Sequence, residues 1–118
     1  MLALVAGSAL GALWFDPMPR YNFPPERIGT PSALLCYVPG LDGTNGSPFA
    51  QWPPLAELGF DIRVQDVRTG RAAASFDATV DEVAEFLRES SSSASPTLLM
   101  GESYGAVVAA AVALREPS

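Results

Sequence analysis

The sequence predicts an α/β fold in which three parallel strands alternate with helices. Short runs at 33–38, 60–67 and 97–100 have the length and residue types of strands. Each is followed by a segment with helical signals, and a chain that alternates in this way forms a parallel sheet with right-handed crossovers. Since the chain has 118 residues, of which 48% are hydrophobic, it is expected to form one domain with a packed core.

The first strand, ALLCYV at 33–38, is apolar throughout and ends at Pro39-Gly40. Such a run is typical of a strand that is buried on both faces. Cys36, the only cysteine, is expected to be a small core residue that takes part in neither a disulfide nor a metal site. The segment GLDGTNG at 40–46 then follows as a glycine-rich loop.

The segment 47–59 is expected to be helical. Ser47-Pro48 have the residue types of a helix N-cap and a first helical position. Pro53-Pro54 predict that the helix divides into two short pieces, and Gly59 predicts its end.

The other two strands differ in their patterns. Segment 60–67 alternates between an apolar face and a face that holds Asp61, Arg63 and Gln65, so it is expected to be less deeply buried than the first strand. Segment 97–100, TLLM, is apolar and runs into Gly101. In a sheet with the order second, first, third, this last strand would keep an open edge with no charge to protect it.

The two later helices also differ. Segment 76–88 is amphipathic, and Thr79 and Glu82 have the spacing of a capping box, with Asp77 as an alternative start. Segment 105–114, GAVVAAAVAL, is apolar on every side and too short to span a membrane. We therefore expect this last helix to be buried in a larger body.

The N-terminal 32 residues form a region of their own in this interpretation. Residues 1–15 are apolar and uncharged, like the central region of a signal peptide, but no basic residues precede them. A targeting segment, a helix packed on the domain and an arbitrary start of an incomplete chain remain alternatives. The prolines of 16–32 are expected to exclude a regular element. The predicted division is thus an apolar segment and proline-rich connector at 1–32 and a domain at 33–118.

Composition excludes several classes of function. The net charge is −6 with only seven Lys and Arg, and these form no basic cluster, so nucleic acid is not an expected partner. Neither glycine-rich segment has the pattern of a dinucleotide-binding loop or the lysine of a P-loop. The chain also contains no histidine, so these residues hold no imidazole base.

The motif with chemical meaning is GESYG at 101–105, a G-x-S-x-G pentapeptide between a strand and a helix. A turn this sharp holds Ser103 in a strained backbone conformation, and Gly101 and Gly105 prevent a collision between strand and helix. The serine oxygen then projects from the carboxyl edge of the sheet beside the helix N-terminus, where negative charge is favoured. We therefore predict Ser103 as a nucleophile.

An oxyanion hole requires two N–H groups near that serine. One belongs to the residue after the nucleophile, here Tyr104, and the other to the loop after the earlier strand. Leu41 is the best candidate for the second N–H, since Gly40 and Gly43 let the backbone approach a substrate closely. Loops at the carboxyl ends of neighbouring parallel strands meet at one crevice, so the two groups are expected to converge.

With these motifs, residues 32–117 resemble the α/β-hydrolase superfamily. YVPGLDGT at 37–44 and GESYG are similar to the esterase, lipase and thioesterase proteins that include plastid phytyl ester synthases and diacylglycerol acyltransferase-like proteins. DVRTG at 66–70 resembles the Asp-x-Arg-Gly turn after the superfamily's fourth strand, with Thr69 in place of the first Gly. DPMPRY at 16–21 resembles the proline-rich lead-in of the ester synthases. The resemblance implies the N-terminal half of an α/β-hydrolase fold at 33–118.

The resemblance also implies a function, namely acyl transfer through a serine ester at Ser103 without a cofactor or metal. The expected partner is a small-molecule acyl ester or acyl donor, with phytol, a diacylglycerol or water as the acceptor, so ester hydrolysis and ester synthesis both stay open. Contact with a membrane surface or a lipid droplet is compatible with such substrates. The ester-synthase likeness implies a plastid location; without it, the cytoplasm or secretion is expected.

The chain departs from the superfamily in one respect. The acid and the histidine of the triad follow the serine along the chain in this fold, but no histidine is present here. Asp42, Asp66 and Glu102 are poor substitutes, because a carboxylate is a weak base for a serine hydroxyl. We therefore expect the 118 residues to be part of a longer enzyme, inactive alone, whose remaining chain is itself a partner.

Two other functions stay open. A non-catalytic fragment or interaction module would account for the missing histidine, and a peptidase on the same fold would share every motif described above. Asp42 is expected to cap its own loop, and Glu102 to be a variable polar position.

Overall fold

The computed structural model describes residues 14–21, 23, 32–40, 49–66, 75–90 and 96–116. These residues contain a four-stranded sheet of order β1-β3-β2-β4, made of β1 (Trp14–Phe15), β2 (Ala33–Val38), β3 (Phe60–Gln65) and β4 (Thr97–Gly101). The last three strands are parallel to one another, in the order expected from the sequence. Because β1 pairs antiparallel with β3, the sheet is mixed rather than purely parallel, which corrects the prediction of three strands.

Helices cover both faces of this sheet. One face packs against α1 (Pro17–Arg20) and α2 (Trp52–Glu57), and the other against α3 (Phe76–Ser90) and α4 (Tyr104–Arg115). The crossovers from β2 to β3 and from β3 to β4 run in opposite directions along the sheet, and their helices lie on opposite faces. Two crossovers of the same hand require this arrangement.

Strand β2 lies at the centre of both cores. Its side chains alternate, so Leu35 and Tyr37 pack with Trp52 on the α2 face, whereas Cys36 and Val38 pack on the α3 and α4 face. The prediction that this strand is buried on both faces is confirmed. Strand β3 is less deeply buried, as expected, and it ends two residues earlier than the sequence suggested.

The N-terminal connector contains regular structure, contrary to the prediction. Asp16 caps α1 by accepting a hydrogen bond from the Met18 N–H at 2.9 Å. Pro17 and Pro19 fit because they occupy the first turn, where backbone N–H groups have no partner within the helix. Trp14 of β1 belongs to the core on the α3 side, and Met18 of α1 belongs to the core on the α2 side. Residues 14–18 therefore pack into both cores of the domain.

The helical segment after β2 consists of two pieces, as predicted, but they meet at a different place. A single 3₁₀ turn at Phe49–Gln51 leads into α2, and Pro53-Pro54 lie in the first turn of α2 rather than at a break. Gly59 then adopts a φ of 102°, a conformation that favours glycine, and ends the segment as expected. Ser47-Pro48 lie outside the described residues.

The start of α3 also differs from the prediction. Ser75 is the cap: its Oγ accepts a hydrogen bond from the Ala78 N–H at 3.0 Å, so neither Asp77 nor a capping box begins the helix. Glu82 is buried instead and accepts a 2.7 Å hydrogen bond from Nε2 of Gln65, which is also buried. The polar face of β3 is therefore covered by α3 at Gln65, whereas the side chains of Asp61 and Arg63 are about 30% exposed.

The last helix is buried on one side only, at Gly105, Val108 and Val112. Val107 and Leu114 of α4 are 58% and 86% exposed, so the expected burial of this helix does not occur within the described part of the chain. Among the described helices, none has the length and hydropathy required to cross a membrane.

Candidate active site

The predicted turn between a strand and a helix is present at residues 101–105. Strand β4 ends at Gly101 and α4 begins at Tyr104. Between them, Ser103 has φ 55° and ψ −119°, and it is the only non-glycine residue with a positive φ in the described ranges. Its side chain is exposed, so the strained turn presents the hydroxyl to solvent at the carboxyl edge of the sheet.

The two glycines of the motif allow a close approach of backbones. A Cβ atom on Gly101 would come closer than 3.0 Å to the carbonyl oxygen of Gly105. A Cβ atom on Gly105 would come equally close to the carbonyl oxygens of Val38 and Pro39. The first turn of α4 therefore packs directly on the carboxyl end of β2, which no larger residue at these positions would permit.

The first turn of α4 has an available backbone donor. The Gly105 N–H donates to the carbonyl oxygen of Glu102 at 2.8 Å, but no described residue accepts a hydrogen bond from the Tyr104 N–H. Ser103 occupies the N-cap position and makes no capping hydrogen bond through its side chain. The Tyr104 N–H can thus stabilise negative charge beside Ser103, as an oxyanion hole requires.

The glycine-rich loop starts next to this turn. Val38 pairs with Gly101, and its carbonyl oxygen accepts a hydrogen bond from the Glu102 N–H at 3.2 Å. Gly40, two residues further along, is half-buried at the same edge of the sheet. Leu41, Asp42 and Gly43 lie outside the described residues, so the second oxyanion donor stays a prediction.

The residues on either side of Ser103 are attached to opposite faces of the sheet. Glu102 accepts a 2.5 Å hydrogen bond from the hydroxyl of Tyr37, whose buried ring packs edge-on against Trp52 at 5.2 Å on the α2 face. Tyr104 packs on the α3 face, where its ring meets that of Phe76 at 5.9 Å. Glu102 is consequently held by a specific partner, which the expectation of a variable polar position did not foresee.

Sequence reasoning missed Tyr37 and Phe76 as neighbours of the site. Tyr37 pairs with Met100, two residues before Glu102, and this register between β2 and β4 is not specified by the pattern of either strand. Phe76, the first residue of α3, is 37% exposed and contacts Tyr104, the first residue of α4. No periodicity within one helix predicts a contact between two helix starts.

Cys36 lies in the central strand β2 and cannot act as a nucleophile at neutral pH. Burial raises the pKa of its thiol from 9.0 to about 12, with a smaller lowering by Arg63 and a smaller raising by Asp61. The thiol is fully buried and stays protonated, so it is a core residue, as predicted.

Comparisons of the chain with models of known protein families, with curated proteins and with solved structures found no match. The functional interpretation therefore depends on the geometry of the turn at 101–105 and its surroundings.

Proposed function

We propose that this chain is the part of an acyl-transfer enzyme of the α/β-hydrolase type that carries the nucleophile, Ser103. One observation carries the proposal: an exposed serine with a φ of 55° lies between a parallel strand and a helix, at the carboxyl edge of the sheet. A serine in this disfavoured conformation is costly to keep, and such strain is concentrated at functional sites. The strand order β3-β2-β4 with helices on both faces agrees with the proposed fold.

The proposed reaction has two steps. In the first, Ser103 Oγ attacks the carbonyl carbon of an acyl ester, the bond to the alcohol breaks, and the proton of Oγ passes through a base to the departing alcohol. In the second, water or another alcohol attacks the acyl carbon, the bond to Ser103 Oγ breaks, and the proton of the attacking group passes through the base to Oγ. The Tyr104 N–H stabilises the oxyanion of each tetrahedral intermediate, with the Leu41 N–H as the second donor.

The base of this reaction must come from outside the 118 residues. The sequence has no histidine, and a serine hydroxyl requires a base close to its Oγ for efficient attack. We propose that the histidine and the acid belong to polypeptide adjoining this chain, as in the superfamily that the motifs resemble. Acyl esters of lipid-like alcohols are the proposed substrates and a plastid the proposed location, both from that resemblance.

A fluorophosphonate probe tests the proposal. The protein is expressed from its own gene, with any residues that adjoin these 118, and treated with the probe. Ser103 Oγ attacks the phosphorus, fluoride leaves and the serine proton passes to the base, so peptide mapping should find the label on Ser103. Ser103→Ala should abolish labelling, whereas Ser32→Ala should not, since Ser32 is also an exposed serine but lies at the other end of β2.

An unlabelled Ser103 in the folded protein would reject the enzyme and favour a second candidate, a non-catalytic interaction module. The observation that supports this candidate is the apolar outer surface of α4, where Val107 and Leu114 are largely exposed. A peptidase on the same fold would also label at Ser103, and hydrolysis of peptide substrates rather than acyl esters would distinguish it.

A further inference from the structure

We propose that Tyr37 is a positioning residue for the nucleophile: through Glu102 it holds the backbone turn that presents Ser103. The inference deepens the proposed function and rests on it. Tyr37 does not touch the serine, so its effect passes through the short hydrogen bond to Glu102 and the peptide that joins Glu102 to Ser103.

Tyr37 is a rigid support. It lies in the central strand β2, which pairs with a neighbour on each side, and its side chain is fully buried. The ring packs edge-on against the buried ring of Trp52. A phenol held in this way places its hydroxyl at one point in space, and a hydrogen bond to a carboxylate is stronger than one between neutral groups.

Glu102 is tied to β2 at two of its atoms, in addition to the hydrogen bond that its carbonyl oxygen accepts from the Gly105 N–H at 2.8 Å. Its backbone N–H donates to the carbonyl oxygen of Val38 at 3.2 Å, and its Oε1 accepts from the Tyr37 hydroxyl at 2.5 Å. Both partners belong to β2, so Glu102 is tied to the central strand through its main chain and its side chain together. With Glu102 held at both atoms, the peptide that precedes Ser103 has little freedom to rotate.

The positive φ of Ser103 makes such support necessary. The conformation is disfavoured for any residue with a Cβ atom and persists only when the surroundings impose it. On the following side, Tyr104 is held on the opposite face by an edge-on contact with Phe76. An apolar ring contact can slide, whereas a charge-assisted hydrogen bond fixes direction, so Tyr37 is the support that sets the orientation of the turn.

The expected consequence concerns reaction rather than binding. Without the Tyr37 hydroxyl, Ser103 spends part of its time in relaxed conformations in which Oγ is misplaced relative to the Tyr104 N–H. Small displacements of a reacting group cost rate. The buried Tyr37 ring does not meet the substrate, so reversible binding should be unchanged.

The test measures the two kinetic constants of fluorophosphonate labelling separately, in the same gene product as above. Tyr37→Phe should lower the maximal rate of labelling by about tenfold or more and leave the half-saturating probe concentration unchanged. Glu102→Ala should lose a similar factor. Glu102→Gln retains an oxygen that can accept from Tyr37 and should recover most of the rate.

A matched control separates positioning from general stability. Thr79→Val also removes a hydroxyl from a buried position, where it donates to the carbonyl oxygen of Ser75 at 2.9 Å, but it belongs to α3 rather than to β2 or the turn. This variant should keep its labelling rate within about twofold of the unmodified protein. A Tyr37→Phe rate that stays within the same limit, or a loss that Thr79→Val reproduces, would overturn the inference.

A measurement that requires no enzyme activity tests the role of Tyr37 separately from the proposed function. In nuclear magnetic resonance spectra, the amide signals of Ser103 and Tyr104 should shift in Tyr37→Phe and in Glu102→Ala and stay in place in Thr79→Val. If the unmodified protein is not labelled, the proposed enzyme fails, and these shifts alone decide whether Tyr37 holds the turn. Unchanged amide signals in both variants would reject it. If Tyr37→Phe does not fold, Glu102→Ala, at a half-buried position, decides the same question.

Discussion

Helices α3 and α4 lie on the same face of the sheet, and each is preceded by a serine, yet the two helices begin differently. Ser75 caps α3 by accepting a hydrogen bond from the Ala78 N–H at 3.0 Å. Ser103 stands at the corresponding position of α4 but makes no such bond, because its backbone has turned to a φ of 55°. The Ser75 side chain stabilises the start of its helix, whereas the Ser103 side chain forms no cap and leaves the Tyr104 N–H open.

The bodies of the two helices differ in the same sense. Helix α3 has an apolar side in the core, where Val83 and Ala84 are fully buried, and a charged outer side. Helix α4 buries Val108 and Val112 but leaves Val107 and Leu114 exposed. Helix α3 therefore has both a side-chain cap and a buried apolar side within the described chain. Helix α4 lacks the stabilisation of a cap at its start and exposes apolar side chains on its outer side.

The largest effect is expected where α4 crosses the end of β2. Gly105→Ala would force a Cβ atom against the carbonyl oxygens of Val38 and Pro39 and should destabilise the protein by about 3 kcal/mol or more. Urea denaturation measures the change. Ala106→Ser, on the exposed side of the same turn, should change the free energy of unfolding by less than about 0.5 kcal/mol. Equal stabilities for the two variants would contradict the close approach.

The two serines should respond in opposite directions. Ser75→Ala removes the cap of α3 and should lower the free energy of unfolding by about 1 kcal/mol. Ser103→Gly removes the strain of a positive φ and, after the entropic cost of glycine, should raise it by about 1 kcal/mol. Thermal unfolding of both variants gives the two signs. A destabilised Ser103→Gly variant would mean that the turn is not strained.

The thiol beneath both helices should make stability depend on pH. The folded protein holds the Cys36 pKa near 12, whereas the unfolded chain has the ordinary value of 9.0, so the unfolded state loses its proton first as the pH rises. Stability from this group is therefore complete below pH 9.0 and falls above it, by about 1 kcal/mol between pH 9 and 10.

Cys36→Ala is the control for this dependence, since it should remove the part of the slope that the thiol contributes. Urea denaturation at several pH values measures it. The native thiol should also resist alkylation at pH 8 and react once the protein unfolds. Rapid alkylation of the folded protein would show that α3 and α4 do not seal this core.

The smallest effect is expected for the ion pair that joins the two helices at their surface. Arg115 of α4 lies 2.8 Å from Asp81 of α3, and both side chains are about half exposed. Solvent screens such pairs, so a double-mutant cycle with Asp81→Ala and Arg115→Ala should give a coupling of about 0.5 kcal/mol or less. The coupling should decrease further at high salt. A coupling of several times this size would show that the helices are joined mainly by charge.

Local patterns in the sequence determined the parallel strands, the two long helices and the turn at 101–105. The run 33–38 is apolar without interruption and the segment 76–88 has helical spacing, so each reveals its own structure. The glycines at 101 and 105 likewise indicated the close packing of strand and helix before any contact was known. Each of these features depends on residues that are close together in the chain.

The tertiary structure decided the rest. Strand β1 has only two residues and exists because the edge of β3 accepts it. The burial of Gln65 follows from the position of α3, and the alternating pattern of β3 does not predict it. Tyr37 meets Glu102 across 65 positions of the chain, through a strand register that forms only when β2 and β4 pair. Periodicity describes one element at a time, whereas these contacts arise between elements, from the energy of packing them together.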